Sequence, residues 1–368
     1  MVIDKFPSGE IIPPPSKSLS HRALICAWLS GNSAVQNLGN SADIHATKRC
    51  LSALDAKKVL DCGESGSTLR FLMPLAALRG GAEFIGDGRL LDRPLEPYKN
   101  ALNFSLNNGR LRVESGLSGG DYSLPGNISS QFFSGLLMAL TLANTDSTVI
   151  FSTPLESKAY IDMTLDVMSA FGVRVESLEN GWKIKGNQSY IYADYFVEPD
   201  YSQAAFFLAA SALGRNVTCK GLLPDSRQGD REIVEIIAKI GNPLKAIDVD
   251  ATDIPDIIPP IAALLCFCDG ESHIYNAKRL RFKESDRLHA LASELSKLGA
   301  DITEGTDSLT IRGKKHLRGG VVDAHNDHRI AMAIAVAAIG CEISVDLTGW
   351  ESVGKSYPDF WRDWGVRP

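Results

Sequence analysis

Six times along this chain a short polar cluster runs directly into an apolar helix rich in Ala and Leu. The segments are PSKSLSHRALICAWLS from Pro15, ESGSTLRFLMPLAAL from Glu64, ISSQFFSGLLMALTLA from Ile128, DYSQAAFFLAASALG from Asp200, DIPDIIPPIAALLCF from Asp253 and NDHRIAMAIAVAAIG from Asn326. Past the first turn each is apolar nearly all round, the pattern of a helix buried on every side. They return at intervals of roughly 50 to 70 residues, the spacing of an internal structural repeat. Strand-like stretches lie between them, among them STVIFST from Ser147, VRVES from Val173 and SLTIRG from Ser308. An amphipathic helix, DRLHALASELSKLG from Asp286, also intervenes. A buried helix covered by sheet and outer helices, repeated six times, predicts an α/β architecture with its helices inside. Two groups of three would make two lobes, which suits 368 residues, a length that is large for one hydrophobic core.

The net charge of −6 and the 44% apolar content describe an ordinary globular protein, with nothing that points to nucleic acid or an anionic membrane surface. The longest apolar runs, such as Ile330–Ile339, fall well short of the ~18 residues a membrane span needs. The opening MVIDKFPSGE lacks the basic and apolar regions of a secretion signal. The cysteines (Cys26, Cys50, Cys62, Cys219, Cys266, Cys268, Cys341) are odd in number, scattered, and mostly inside apolar runs without a CxxC pair. They read as reduced core thiols of a cytoplasmic protein.

Each polar cluster places Ser, Asp or Asn where a helix starts, so each can serve as an N-cap. Capping does not call for Lys17, Arg22, Arg70, Gln131, His328 or Arg329, which the clusters also hold. Free backbone N–H groups and the helix dipole already favour anions at such ends, and added cations make sense for a highly charged anionic ligand. Ser18 and Arg22 stand four apart and share a helix face. Asp256, in an IPD turn opening an apolar run, is either an N-cap or a functional carboxylate. Arg93, in GRLLDRPLEPY, reads from its context as a surface loop residue. Gly349–Ser356 matches the P-loop spacing, but Pro358 follows two residues later, where a helix should be opening. His325 and His328 have no accompanying set of ligand residues, so no metal is expected.

Seven motifs then occur in one order: SKSLSHR from Ser16, SSQ from Ser129, SKAY from Ser157, IPD from Ile254, KESDR from Lys283, NDHR from Asn326 and GKSYPD from Gly354. In these the chain resembles the 5-enolpyruvylshikimate-3-phosphate synthases and, more loosely, the wider enolpyruvyl transferases, over nearly its whole length. The resemblance implies a two-lobed inside-out α/β barrel of six βαβαββ-type repeats with buried helices. Residues 15–198 would form one lobe of three repeats, and residues 1–14 with 199–368 the other, with the active site in the cleft between them. It implies transfer of the enolpyruvyl group of phosphoenolpyruvate to the 5-hydroxyl of shikimate 3-phosphate, by a monomer without cofactor or metal. Its partners would be these small molecules only.

Carried over position by position, Lys17, Ser18, Arg22, Ser129, Ser130, Gln131, Ser157, Tyr160, Asp256 and Lys283 would bind shikimate 3-phosphate. Lys17, Gly66, Arg93, Gln131, Arg287, Arg329 and Lys355 would bind phosphoenolpyruvate. Asp256 is the candidate base for the attacking hydroxyl, with Glu284 and Lys355 to deliver and recover a proton and His328 nearby. Cations would stabilise the developing charge.

The chain departs from the family at Glu64, where a neutral amide is usual, so a carboxylate stands close to Gly66 and the phosphoenolpyruvate site. Some repeats look trimmed, notably Leu51–Cys62 and Leu106–Tyr122. Two rivals are a UDP-N-acetylglucosamine enolpyruvyl transferase and a non-catalytic anion-binding relative. The first would carry Lys-Asn in the first motif and a loop cysteine, whereas this chain has Lys17-Ser18 and no cysteine between Cys62 and Cys219. The second is opposed by the presence of Asp256, Glu284, His328 and Lys355 together.

Overall fold

Every one of the six apolar segments is helical in the computed structural model of the chain, which describes residues 1–31 and 33–366. In chain order the helices are α1 (Lys17–Ser30), α2 (Ala42–Asp55), α3 (Gly66–Leu78), α4 (Ser130–Leu140), α5 (Lys158–Ala170), α6 (Tyr201–Ala212), α7 (Glu232–Ile240), α8 (Ile258–Leu265), α9 (Arg287–Lys297), α10 (His328–Ala338) and α11 (Phe360–Trp364). The polar clusters do cap: Ser16, Ser65, Ser129, Asp200 and Asp327 each accept a backbone N–H of the helix they precede. Helices α8 and α10 are buried at every residue. In α4 only Gln131 escapes full burial. Helix α1 is less enclosed than its pattern implied, with Leu24, Trp28 and Leu29 only half-buried.

The chain divides into two compact units, Pro15–Glu198 and Met1–Pro14 with Pro199–Pro368, called here the middle and terminal units. Each has its own apolar core. In the middle unit, Asp121–Leu124 runs parallel to Ser147–Phe151, which pairs antiparallel with Gly181–Ile184 and that with Val175–Leu178. With α4 and α5 between its strands this segment is a βαβαββ unit. The terminal unit repeats the arrangement with Val249–Asp250, α8, Glu271–Tyr275, α9, Asp301–Glu304 and Leu309–Arg312.

A third copy is modified. Leu60–Asp61, Ala82–Ile85, Arg110–Val113 and Phe104–Asn107 pair in the same order, but two short 3-10 turns, Leu90–Asp92 and Glu96–Asn100, replace its second helix. Smaller sheets complete each unit. Ala34–Gln36 pairs with Asp194–Phe196, and Gly9–Ile11 with Val217–Cys219, both parallel. Gly320–Asp323 lies parallel to Val345–Thr348, which also pairs with Val2–Ile3. The fold is mixed α/β, and each sheet order ends in two edge strands.

The strand expected from Val173 starts at Val175, because the Val173 N–H is taken by the Met168 carbonyl at the end of α5. No described helix is long and apolar enough to cross a membrane. The seven cysteines are free thiols, five of them buried.

Packing of α3 on α4 depends on Gly135: a Cβ there would stand 2.4 Å from the Tyr98 hydroxyl and 2.5 Å from the Arg70 carbonyl. That hydroxyl donates to the same carbonyl at 2.7 Å. Gly135→Ala should therefore force the helices apart and lower unfolding free energy by about 1–3 kcal/mol, the usual effect of overpacking, as read by urea denaturation.

Candidate active site

In the middle unit the starts of α1 and α3 carry predicted cations, and the start of α4 carries Gln131. Lys17, in the first turn of α1, donates to Asp43 at 2.8 Å. Asp43 sits in the first turn of α2, where a carboxylate is favoured by the helix dipole. One turn on, Arg22 is 2% exposed. Its guanidinium donates to Thr164 Oγ1 at 2.7 Å, the Ser18 carbonyl at 2.6 Å, the Tyr160 carbonyl at 2.8 Å and Ser134 Oγ at 3.4 Å. The Phe71 ring lies 5.0 Å from its carbon. Burial pushes its pKa down to about 10, which leaves it charged at neutral pH. All of these acceptors are neutral. His21 beside it is held neutral by burial and by Lys17 and Arg22, and its Nδ1 meets Thr47 Oγ1 at 2.7 Å.

Arg70 donates to Gln131 Oε1 at 2.8 Å, and Gln131 in turn donates to Ser67 Oγ at 2.9 Å. A Cβ on Gly66 would stand 3.0 Å from Arg93 Nη1 and 3.2 Å from Arg70 Nη1. Two guanidiniums thus face the backbone at the α3 start, where a larger residue would displace them. Arg93 is 9% exposed, so its reading as a surface loop residue is corrected: the 3-10 turns that replace a helix fold its segment inward. Glu64 turns its carboxylate over Gly88, where a Cβ would lie 3.0 Å from Oε2. Ser129 caps α4 and Ser130 is buried, while buried Ser157 takes a left-handed backbone (φ 55°) immediately before α5.

The terminal unit gathers the remaining predicted residues. Asp256 accepts Lys283 Nζ at 3.2 Å and Arg287 Nη1 at 3.1 Å on one oxygen, and Arg329 Nη2 at 3.2 Å on the other. Its carbonyl accepts Arg329 Nη1 at 2.7 Å. The N-cap of α8 is Ile257, which makes no side-chain cap bond, so Asp256 is not a cap. Burial would raise its pKa, but Arg329, Lys283 and Arg287 outweigh that and hold it well below the usual carboxylate range. Lys283 is itself lowered by burial, against the opposing pull of Asp256.

Arg287, 1% exposed, opens α9 and donates to Asp327 at 2.8 and 3.3 Å and to Glu284 at 2.7 Å besides Asp256. Burial opposes its charge, and these carboxylates more than restore it. Asp327, fully buried, also accepts Ser285 Oγ at 3.0 Å while it caps α10. His328 follows it, buried, with Nδ1 3.8 Å from an Asp327 oxygen. Lys355 Nζ reaches the Asn326 carbonyl at 2.6 Å.

The sequence reading missed Asp43, Thr164 and Asp230. Buried Asp230 accepts the Ser202 hydroxyl and is pushed up to about 6, chiefly by burial and then by Asp256. The only trace of it in the sequence is one of two acids in SRQGDRE, which has no periodic or motif context.

These shifts fix a pH dependence. Asp256 and Asp327 have folded pKa values below their unfolded value near 3.9, so their stabilisation is complete above that value and is lost as pH falls through the folded values. Asp230 has the opposite sign: its contribution is full below ~3.9 and is lost as pH rises through about 6. Urea titrations from pH 3 to 8 should show Asp230→Asn removing a loss of stability between about pH 4 and 6, and Asp327→Asn flattening the fall below about pH 4.

A protein-family model described as EPSP synthase (3-phosphoshikimate 1-carboxyvinyltransferase) matches residues 5–59 and 53–364. A 3-phosphoshikimate 1-carboxyvinyltransferase of Clostridium perfringens is 43% identical over 403 aligned positions, covering 96% of this chain and 95% of that one. One from Clostridium novyi is 43% identical over 412 positions, with 97% and 94% covered. Both alignments are longer than the 368 residues of this chain, so these relatives carry residues that it lacks. Among solved structures, an EPSP synthase from Acinetobacter baumannii superposes with a TM-score of 0.79 at 23% identity, covering 98% of this chain and 96% of the other.

Proposed function

This chain belongs to the EPSP synthase family, and from that premise we propose that its two cationic sets serve one enolpyruvyl transfer from phosphoenolpyruvate to shikimate 3-phosphate. The protein is an enzyme, a transferase of the shikimate pathway. The observation that carries the assignment of roles is Asp256 held by Lys283, Arg287 and Arg329 beside Glu284.

Arg22 takes the shikimate carboxylate with Ser18, because a charge solvated only by neutral acceptors is still available to an anion. Ser129, Ser130, Ser157 and Lys283 hold the substrate phosphate, with Gln131 and Tyr160 beside the ring. Phosphoenolpyruvate takes Lys17, the Gly66 backbone, Arg93, Gln131, Arg329 and Lys355. Arg287 joins this set only by giving up part of a carboxylate contact, so its larger role is to hold Asp256 and Glu284 in place.

In the reaction the 5-hydroxyl oxygen bonds to C2 of phosphoenolpyruvate while its proton leaves to Asp256. A proton from Glu284 or Lys355 adds to the methylene carbon. The resulting tetrahedral intermediate expels phosphate, and the methyl group returns a proton to re-form the double bond. Glu64, turned over Gly88, leaves the Gly66 backbone approachable, which supports phosphoenolpyruvate binding in spite of that substitution.

We read each unit as the inside-out arrangement of the family, with its three sheets around α1, α3 and α4 or around α6, α8 and α10. The enzyme acts as a monomer with no partner beyond its substrates, in the cytoplasm, a location supported by its free cysteines.

A coupled assay of phosphate release with both substrates tests the activity, and its absence despite tight shikimate 3-phosphate binding would favour a binding protein instead. Asp256→Asn should keep shikimate 3-phosphate binding within a few-fold and lower turnover at least ~100-fold, the low end for loss of a positioned acid or base. Near-normal turnover in that variant would overturn the base assignment.

A further inference from the structure

We propose that Glu294 is a positioning residue that sets the Asp323–Arg329 segment and, through it, Lys355. The inference rests on the roles given above to Arg329 and Lys355. Glu294 is 1% exposed on α9, a position where burial alone would raise a carboxyl pKa. Instead its pKa is lowered, because donors converge on it: His325 Nε2 at 2.8 Å, the Asp323 N–H at 2.9 Å, Lys297 Nζ at 2.8 and 2.9 Å and Ser293 Oγ at 3.1 Å. A carboxylate only accepts, so His325 carries its proton on Nε2.

Two of these donors belong to the turn that leads into α10. There His325 and Asn326 are both left-handed, at φ 51° and 52°. Two consecutive non-glycine residues in that region are strained and persist only where neighbours over-determine them. Glu294 grips the turn at the Asp323 amide and the His325 ring, and the Asp323 carboxylate accepts the His325 N–H at 2.6 Å. The left-handed pair leaves the Asn326 carbonyl to receive Lys355 at 2.6 Å and brings in Asp327, His328 and Arg329 next.

Arg287 and Glu294 are seven residues apart on α9, two helical turns or about 10.5 Å along one face. One helix face therefore holds the segment twice, by a cation at Asp327 and by an anion at Asp323 and His325. Two clamps fix a direction where one fixes only a point. Without the second clamp the turn can relax its left-handed residues, and the Asn326 carbonyl then carries Lys355 away.

Steady-state kinetics with thermal melting on Glu294→Ala, Lys355→Ala and the double variant test this. Glu294→Ala should raise KM for phosphoenolpyruvate and lower kcat, each about 10-fold, as expected of reacting groups displaced by less than 1 Å. KM for shikimate 3-phosphate should stay within about 3-fold. On the Lys355→Ala background the same substitution should cost under about 2-fold, since residues coupled through one backbone segment are not additive. His325→Asn, which tolerates the left-handed backbone but loses the ring contact, should reproduce the split at about 3-fold and decides the matter if Glu294→Ala does not fold. An unchanged KM for phosphoenolpyruvate in a folded variant, or full additivity with Lys355→Ala, would overturn the proposal. Normal kinetics in Lys355→Ala would instead overturn the role given to that lysine above, and the Glu294→Ala result would then judge this inference through Arg329.

Discussion

A guanidinium 1% exposed needs acceptors for its N–H groups, and in the terminal unit Arg287 finds three carboxylates: Asp327, Glu284 and Asp256. Taking such an ion out of water costs several kcal/mol even after relaxation, so the arrangement stands only because almost every N–H meets an acceptor. The consequence is geometric. Arg287 opens α9, Asp327 opens α10 and Asp256 precedes α8, so one ion network aligns the starts of three helices. The apolar contacts of α8 and α10 are non-directional by comparison and select a register less sharply. The network admits one.

The middle unit buries its cations by a different rule. Arg22, 2% exposed, is solvated by hydroxyls and carbonyls, all of them neutral. Neutral dipoles stabilise a cation without cancelling its field, so the positive potential survives for a guest anion. The two units thus divide labour in electrostatic terms: one presents positive charge, the other holds positive and negative charge in fixed opposition. Lys17 is the mixed case, a middle-unit cation with a carboxylate of its own in Asp43.

What was legible in the sequence follows from this division. The six helices announce themselves because all-round burial leaves a composition that no surface helix shares, and their caps lie at fixed offsets. The motif cations were legible because Lys or Arg at a helix start is neither a cap nor favoured by the helix dipole. Arg93 was not, since its burial depends on two 3-10 turns standing where the other repeats place a helix, and GRLLDRPLEPY has no periodicity from which to infer that. Asp43, Asp230 and Glu294 were hidden for a related reason. Each is an acid whose partner is distant in sequence, and burial of an acid is invisible until that partner is known. The burial of α1 was overread because its apolar residues include Trp28, which lies half-buried under the Arg79 guanidinium, 4.1 Å away.

The hardest chemical demand falls on Asp256, and its surroundings pull two ways. A base must hold a proton for part of the cycle, yet three cations hold this carboxyl well below the range in which it would accept one. Those cations are also the ones proposed to meet substrate phosphate and carboxylate groups. Each anion that docks on Lys283 or Arg329 competes for charge now spent on Asp256, and a like charge nearby raises a carboxyl pKa further. Asp230, raised chiefly by burial and then by Asp256 against the opposing pull of Arg329, shows the direction in which these surroundings push a carboxyl. Basicity at Asp256 is then a property of the loaded site and not of the empty one. On the proposed assignment, the same ion network that fixes its position holds its pKa low until both anions share the cations.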